Sequence, residues 1–264
     1  MTSFRKHAVH RWNGSTFEMS KDVLADESVI QLHVNDEHIT TLLGTNSDLE
    51  SLIRGHMATQ YNVSMLDEQS SIVVESRNGV QFVNLQSPGL VVGKKRTEPV
   101  TTSCGACDLD DLADILGQTP LVDPPPHPLN MDHILNTIDA LGSDQPLFAQ
   151  TGGVHAAGLM FPNNEDILIM EDIGRHNAVD KVIGQHLIRK STQRPSALLL
   201  SGRCGWDIVA KAAHANIPLI VSIGAASDLA ARVARQIGMT LCTFSRSGKS
   251  TVIGTVRGRF EAKD

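Results

Sequence analysis

The chain has 264 residues, 41% hydrophobic and 20% charged, enough for one large domain or one with a small companion. Aromatic residues are only 4% of it, which argues against a base-stacking platform, and no run of about eighteen apolar residues exists to form a membrane-spanning helix. The net charge of −6 is uneven: from Gly184 onward there are 12 Lys and Arg against 4 Asp and Glu, which leaves −14 on the rest. Such a field repels duplex DNA, whereas the basic last third suits either a solvated surface or a local pocket for a small phosphorylated ligand. Met1–His10 holds Arg5 and Lys6 with no apolar stretch behind them and does not read as a signal peptide. Four cysteines, two of them in one short loop, fit a reducing compartment, so the cytoplasm is the expected location, with neither nucleic acid nor membrane as a partner.

Residues from about Val29 to Leu90 read as a β-rich unit. Ile72–Val74 and Val80–Val83 flank Asn78-Gly79, whose residue types suit the positive φ of a tight hairpin. Ser47 to Met57 is predicted helical, with Ser47 as cap and Leu49, Leu52, Ile53 and Met57 on one face. Leu109, Leu112, Ile115 and Leu116 predict a short helix ended by Gly117. Pro120, Pro124, Pro125, Pro126 and Pro128 then impose an extended connector. Asn130 is placed to cap a helix that buries Ile134, Leu135, Ile138 and Leu141.

From Leu147 onward the pattern becomes α/β. Strands are expected at Phe148-Ala149, Val154–Met160, Ile167–Met170, Ala197–Leu200, Leu219–Val221 and Thr240–Phe244. Helical faces alternate with the later ones, through Val179 to Leu187, Ile208 to Ala213, and Leu229 to Ile237, the last capped by Ser227 and stopped by Gly238. The expectation is a largely parallel sheet between helices, with units at 1–100, 101–130 and 131–264. Ligands bind such sheets at the carboxyl ends of the strands. The loops Glu171–Asn177, Ser201–Trp206, Ser222–Ser227 and Ser245–Ser250 should therefore converge there.

Cys104-Gly105-Ala106-Cys107 admits three chemistries: half of a zinc site, a redox pair, or a persulfide carrier. Zinc needs further ligands, and although His155 is a candidate third, Cys204 and Cys242 stand alone. His155-Ala156-Ala157 also lacks the acid that a zinc deaminase places beside its histidine, so no zinc is expected. A helix starting after Cys107 favours a thiolate, while Asp108, Asp110 and Asp111 oppose it. Glu171-Asp172-Ile173-Gly174-Arg175-His176-Asn177 crowds acids, cations and an imidazole at a strand end. Arg175 could pair there with Glu171 or Asp172, and Asn177 could cap the next helix. Ser201-Gly202-Arg203 and Phe244-Ser245-Arg246-Ser247-Gly248-Lys249 set small residues beside cations, a pattern that lets backbone N–H groups approach a phosphate. A surface loop is the alternative for the latter, and neither matches a P-loop.

Thr102–Cys107, Thr151–Ala157 and Glu171–Lys181 together resemble the formate dehydrogenase accessory sulfurtransferases, over roughly Ser28 to the C-terminus. The resemblance implies a cytidine-deaminase-like fold with a smaller appended domain, and a homodimer. It implies that Cys104 and Cys107 carry sulfur from a cysteine desulfurase, as a persulfide, to the bis-molybdopterin guanine dinucleotide cofactor of formate dehydrogenase. It places the cofactor contacts at Phe244–Lys249, with His155 and the Glu171–Asn177 stretch in the related motifs. Asp108 stands where the family usually has glycine, and Thr45-Asn46-Ser47-Asp48 where it often has a proline before the acid. Apart from the resemblance, a zinc-dependent deaminase-like enzyme and a non-catalytic cofactor chaperone are the competing readings.

Overall fold

Two antiparallel strands, β1 (Phe4–Trp12) and β2 (Phe17–Ala25), pair only with each other among the residues described, which are 3–92, 117, 119–162 and 167–262 of a computed structural model. Cys104, Cys107 and the helix expected at Leu109–Leu116 lie outside those residues. The β1–β2 hairpin was not expected from sequence. Its turn is set by Asn13, whose side-chain oxygen accepts from the N–H groups of Ser15 (3.0 Å) and Thr16 (2.9 Å).

A second sheet contains β3 (Ser28–Val34), β4 (Glu37–Gly44), β5 (Ser71–Arg77) and β6 (Val80–Gln86), in the order β4-β3-β6-β5. The expected Asn78-Gly79 turn joins β5 to β6, with φ of 51° and 81°. Alternation along β3 turns Ile30, Leu32 and Val34 inward. Helix α1 (Leu49–Tyr61) covers that face with Leu52, Ile53 and Met57. Its N-cap is Asp48 rather than Ser47, and Asp48 sits in the left-handed region without a side-chain capping bond.

The larger layer is built from α2 (Met131–Ser143), α3 (Pro146–Thr151), β7 (His155–Met160), β8 (Leu168–Asp172), α4 (Arg175–Ile188), β9 (Ala197–Leu200), α5 (Trp206–His214), β10 (Leu219–Ser222), α6 (Asp228–Gln236), β11 (Thr240–Arg246) and β12 (Lys249–Ile253). Asn130 and Ser227 cap α2 and α6 as expected, each accepting a backbone N–H. Phe148-Ala149, expected as a strand, belongs to helix α3. Pro146 opens that helix, and the Glu171 carboxylate accepts the N–H groups of Leu147 and Phe148.

The sheet order is β12-β11-β10-β9-β7-β8. Only β9, β10 and β11 are parallel neighbours; β7 runs against both β8 and β9, and β12 against β11, so the sheet is mixed rather than largely parallel. Strands buried on both faces do not reveal their direction in their own apolar runs. One face packs on α4, α5 and α6 through Val179, Val182, Ile208, Val209 and Val233; the other packs on α2 through Ile134, Ile138 and Leu141.

Helices α1 and α4 cross closely and join the two layers. A Cβ on Gly55 would lie 2.9 Å from the Cα of Asp180, and one on Gly184 would lie 2.7 Å from the Gly55 nitrogen. Both positions therefore require glycine for packing.

Candidate functional site

Strands β8, β9, β10 and β11 all run in one sense, so their carboxyl ends share an edge of the sheet, where β7 begins. The loops at that edge are laced together by backbone bonds. Ser201 donates to Ala156, Gly224 to Gly202, Cys204 to Ala225, Ser227 to Cys204, and Phe244 to Gly224. The convergence expected from sequence is present, although one of its four loops differs. Ser245–Ser250 is a hairpin in which only Ser247-Gly248 turn, with φ of 51° and 74°.

His155 starts β7 opposite Asp172, half-buried among Arg175, His176 and Arg203. A Cβ on Gly202 would lie 3.2 Å from His155 Nδ1, so the small residue lets the imidazole lie against the Ser201–Arg203 loop. Burial first, then electrostatic interaction with Arg175, His176 and Arg203, hold the imidazole below its usual pKa, with Asp172 acting in the opposite direction. His155 is therefore neutral at pH 7.

His176 is buried and its Nε2 contacts the Asp207 carboxylate at the start of α5. Burial alone would raise the Asp207 pKa. The bond to His176 and its electrostatic interaction, the Ile208 N–H and Arg175 outweigh it and lower the pKa overall. Helices α4 and α5 both begin after a glycine, Gly174 and Gly205, with no side-chain cap. Half-buried Arg175 at the start of α4 and exposed Arg203 thus lie near the imidazole, a setting suited to an oxyanion, while the Asp207 carboxylate occupies the start of α5.

Phe244, Ser245, Arg246, Ser247, Gly248 and Lys249 end β11 and turn into β12. A bulge after Thr243 holds Phe244 at φ 52° with half its surface exposed. An aromatic residue at positive φ is strained, and the bulge aims its ring outward. Arg246 and Lys249 are exposed, whereas Ser245 is buried and shares a 2.9 Å hydrogen bond with Ser250.

Other residues expected to meet a ligand have protein partners. Asp172 is fully buried and pairs with Lys181 at 2.6 Å, not with Arg175. It also accepts from the N–H groups of Thr45 (3.1 Å) and Gly174 (2.8 Å). Asn177 lies inside α4 instead of capping it, donating to the Leu43 carbonyl (2.8 Å) and to Asp172 (3.1 Å). Glu171 caps α3. Three of the stretch's polar side chains therefore hold layers and helices together, while Arg175 and His176 face the loop edge.

The FdhD/NarQ family model matches residues 25–259. The chain belongs to that family. Curated relatives named sulfur carrier protein FdhD include one from Anaeromyxobacter dehalogenans strain 2CP-C, 31% identical over 253 residues, covering 88% of this chain and 86% of the relative. Another, from Corynebacterium efficiens, is 31% identical over 245 residues, with 86% and 87% covered. A solved structure described as a formate dehydrogenase accessory protein, from Desulfotalea psychrophila, superposes with a TM-score of 0.73. It is 24% identical, with 98% of this chain and 100% of that one covered, and shows the shared fold.

Sequence reasoning missed how this FdhD/NarQ chain joins its layers. Asp180 in α4 accepts from Thr59 at 2.7 Å and from Lys211 at 2.7 and 2.8 Å, with His56 at 3.3 Å. Burial would raise its pKa, but Lys211 and His56 bring it down to about 2. Asp207 was missed as well, although an acid in the first turn of a helix beginning at a ligand loop is a usable signal. The isolated cysteines are buried and free; burial pushes the Cys204 and Cys242 thiols up to about 12.

Proposed function

We propose that this protein is a sulfur carrier acting in formate dehydrogenase maturation. Membership of the FdhD/NarQ family carries the reading, and the state of the other thiols supports it. Cys204 and Cys242 are buried and protonated, so sulfur chemistry falls to Cys104 and Cys107, both within the matched span.

In the proposed step the Cys104 thiolate attacks the outer sulfur of a persulfide on a cysteine desulfurase. The donor's S–S bond breaks, its cysteine leaves as a thiolate, and a new S–S bond forms on Cys104. The transferred sulfur keeps its oxidation state, so no external oxidant is required. Cys107 acts as second carrier or resolving thiol.

The proposed acceptor is a bis-molybdopterin guanine dinucleotide, a bound substrate that brings its own metal centre. The donor set at the loop edge fits its phosphates: Arg175 at the start of α4 and Arg203 on the next loop, with Arg246 and Lys249 on the neighbouring hairpin. Phe244 offers an exposed ring for stacking, and neutral His155 can donate to or accept from the ligand without adding charge.

The test is incubation with a desulfurase and cysteine followed by mass spectrometry. An adduct of about 32 Da on Cys104 or Cys107, removed by reductant, is expected. Its absence with a working desulfurase defeats the proposal.

A further inference from the structure

Strands β9, β10 and β11 begin together at the edge of the sheet opposite the candidate site, a strand length or roughly 20 Å away. Two arginines converge at that edge on the segment that leads into the proline-rich connector. Arg194 Nη2 donates to the carbonyls of Asp123 (2.7 Å) and Pro124 (2.8 Å). Arg259 Nη2 donates to the Gly238 carbonyl at 2.6 Å. Gly238 lies against the same segment, since a Cβ on it would stand 3.5 Å from the Val122 carbonyl oxygen. The Val122 N–H in turn donates to the Ile237 carbonyl at 2.9 Å.

These bonds use only part of each guanidinium. Arg259 is 9% exposed, and its Nε and Nη1 are buried without an acceptor; the Arg194 Nε is buried in the same condition. Among the described residues Arg259 has no carboxylate partner. Arg194 has Asp123, but at 3.7 Å, 73% exposed and already accepting from Asn216 at 2.9 Å. Burial, then the charge of Arg194, hold the Arg259 pKa below its usual value, yet a guanidinium stays protonated at pH 7. Two neighbouring cations with buried, unmet donors are unfavourable; water satisfies donors but does not neutralise charge. A cleft adjoins them, because each arginine stands two residues before one of its walls. Ser196 and Glu261 line this cavity of about 350 Å³ together with Pro126, His127, His133 and Phe161. The Ser196 hydroxyl is also buried and without a partner.

We propose that Arg194 and Arg259 form a second anion site, at the amino edge of the sheet, which holds a phosphate group. Guanidinium N–H groups match a tetrahedral oxyanion in charge and direction, and such an anion meets the donors that the protein leaves free. The phosphate is either the free ion or the head of a small phosphorylated molecule whose remainder lies in the cleft beside Ser196 and His133. The inference stands on the two arginines and the cleft and is independent of the sulfur reaction.

Differential scanning fluorimetry tests it, with inorganic phosphate as the probe and sodium chloride at equal ionic strength as the reference. At about 10 mM phosphate, a site with a Kd of about 1 mM should raise the wild-type midpoint by about 3–6 °C over chloride. Arg194→Gln and Arg259→Met should each weaken phosphate binding at least about tenfold and flatten that rise, since each removes a charged donor. Arg194→Gln, on a half-buried side chain, keeps the test decisive where Arg259→Met does not fold. The double variant Arg203→Ala with Arg246→Ala should keep the full rise, which separates this site from the loop edge. Ribose 5-phosphate is the second probe, read by calorimetry. Binding tighter than phosphate, and lost when His133→Trp fills the cleft, assigns the site to a phosphorylated small molecule; binding no tighter assigns it to the free ion. A wild-type rise no larger than in chloride overturns the proposal. So does a rise unchanged in both single variants, or one lost in the loop-edge double variant.

Discussion

Gly184→Ala separates two effects of opposite sign. In an ordinary helix interior alanine is better than glycine by about 1 kcal/mol, so propensity alone raises stability. Gly184 lies where α4 crosses α1, and a Cβ there would stand 2.7 Å from the Gly55 nitrogen and 2.8 Å from the Ser51 carbonyl carbon. Ordinary contact needs the helices to part by on the order of 1 Å, a backbone shift of the kind that costs about 1–3 kcal/mol. Parting them also stretches the Ser51–Gln185 bond of 2.8 Å and the Thr59–Asp180 bond of 2.7 Å. The first, between neutral groups, contributes about 0.5–1.5 kcal/mol, and the second, to a carboxylate, about 1.5–3 kcal/mol when fully lost. After the helix propensity is subtracted, the expected net loss is about 2–4 kcal/mol, or about 4–16 °C in thermal midpoint for a chain of this size. Gly142→Ala in α2 is the control, because a Cβ there meets nothing within 4 Å; its midpoint should hold or rise slightly. Differential scanning calorimetry on the three proteins decides. A Gly184→Ala midpoint at or above wild type refutes the account of the helix crossing.

Acid should weaken the same interface. The Asp180 carboxyl is held near 2 against a usual 3.8, so its contribution is fully present above about pH 4 and disappears as pH falls toward 2; that window should remove about 2 kcal/mol in urea titrations, and Asp180→Asn should abolish the step. For ligand binding, Arg203→Ala and Arg246→Ala should each weaken GDP binding by about 1.5–3 kcal/mol in calorimetry, while exposed Arg235→Ala on α6 should not; equal affinities return those loops to plain surface charge. Iodoacetamide at pH 8 should leave Cys204 and Cys242 unmodified in the native protein, and their alanine variants should still take up sulfur; labelling of either without unfolding contradicts their burial.

Much of the fold was legible because it rests on local chemistry. Asn78-Gly79, the Asn130 and Ser227 caps and the Gly238 stop each act within a few residues. The β1–β2 hairpin carries the same Asn-Gly signal at Asn13-Gly14 but has few buried side chains, so it lacks the apolar alternation by which strands are recognised. Strand direction was not legible either. A strand covered on both faces is apolar along its length whichever way it runs, and β7 is antiparallel only because its neighbours are placed by chain connections.

The candidate site divides along a similar line. Its loops were legible as places where small, polar and cationic residues follow buried strands. The purpose of each charge within them was not, because an acid aimed at a ligand and an acid aimed at a second layer have the same local sequence. In Glu171–Lys181 the difference comes from distant residues: Thr45 and Lys181 enclose Asp172, and the Leu43 carbonyl holds Asn177. Truncating Asp172 would leave the fully buried Lys181 ammonium without its counter-charge, a loss of about 3–5 kcal/mol in comparable buried pairs. Inactivity of an Asp172 variant would therefore report on folding first. Arg175 and Arg203, which flank His155 at the loop edge with no such burial, are the positions where lost ligand binding can be read as chemistry.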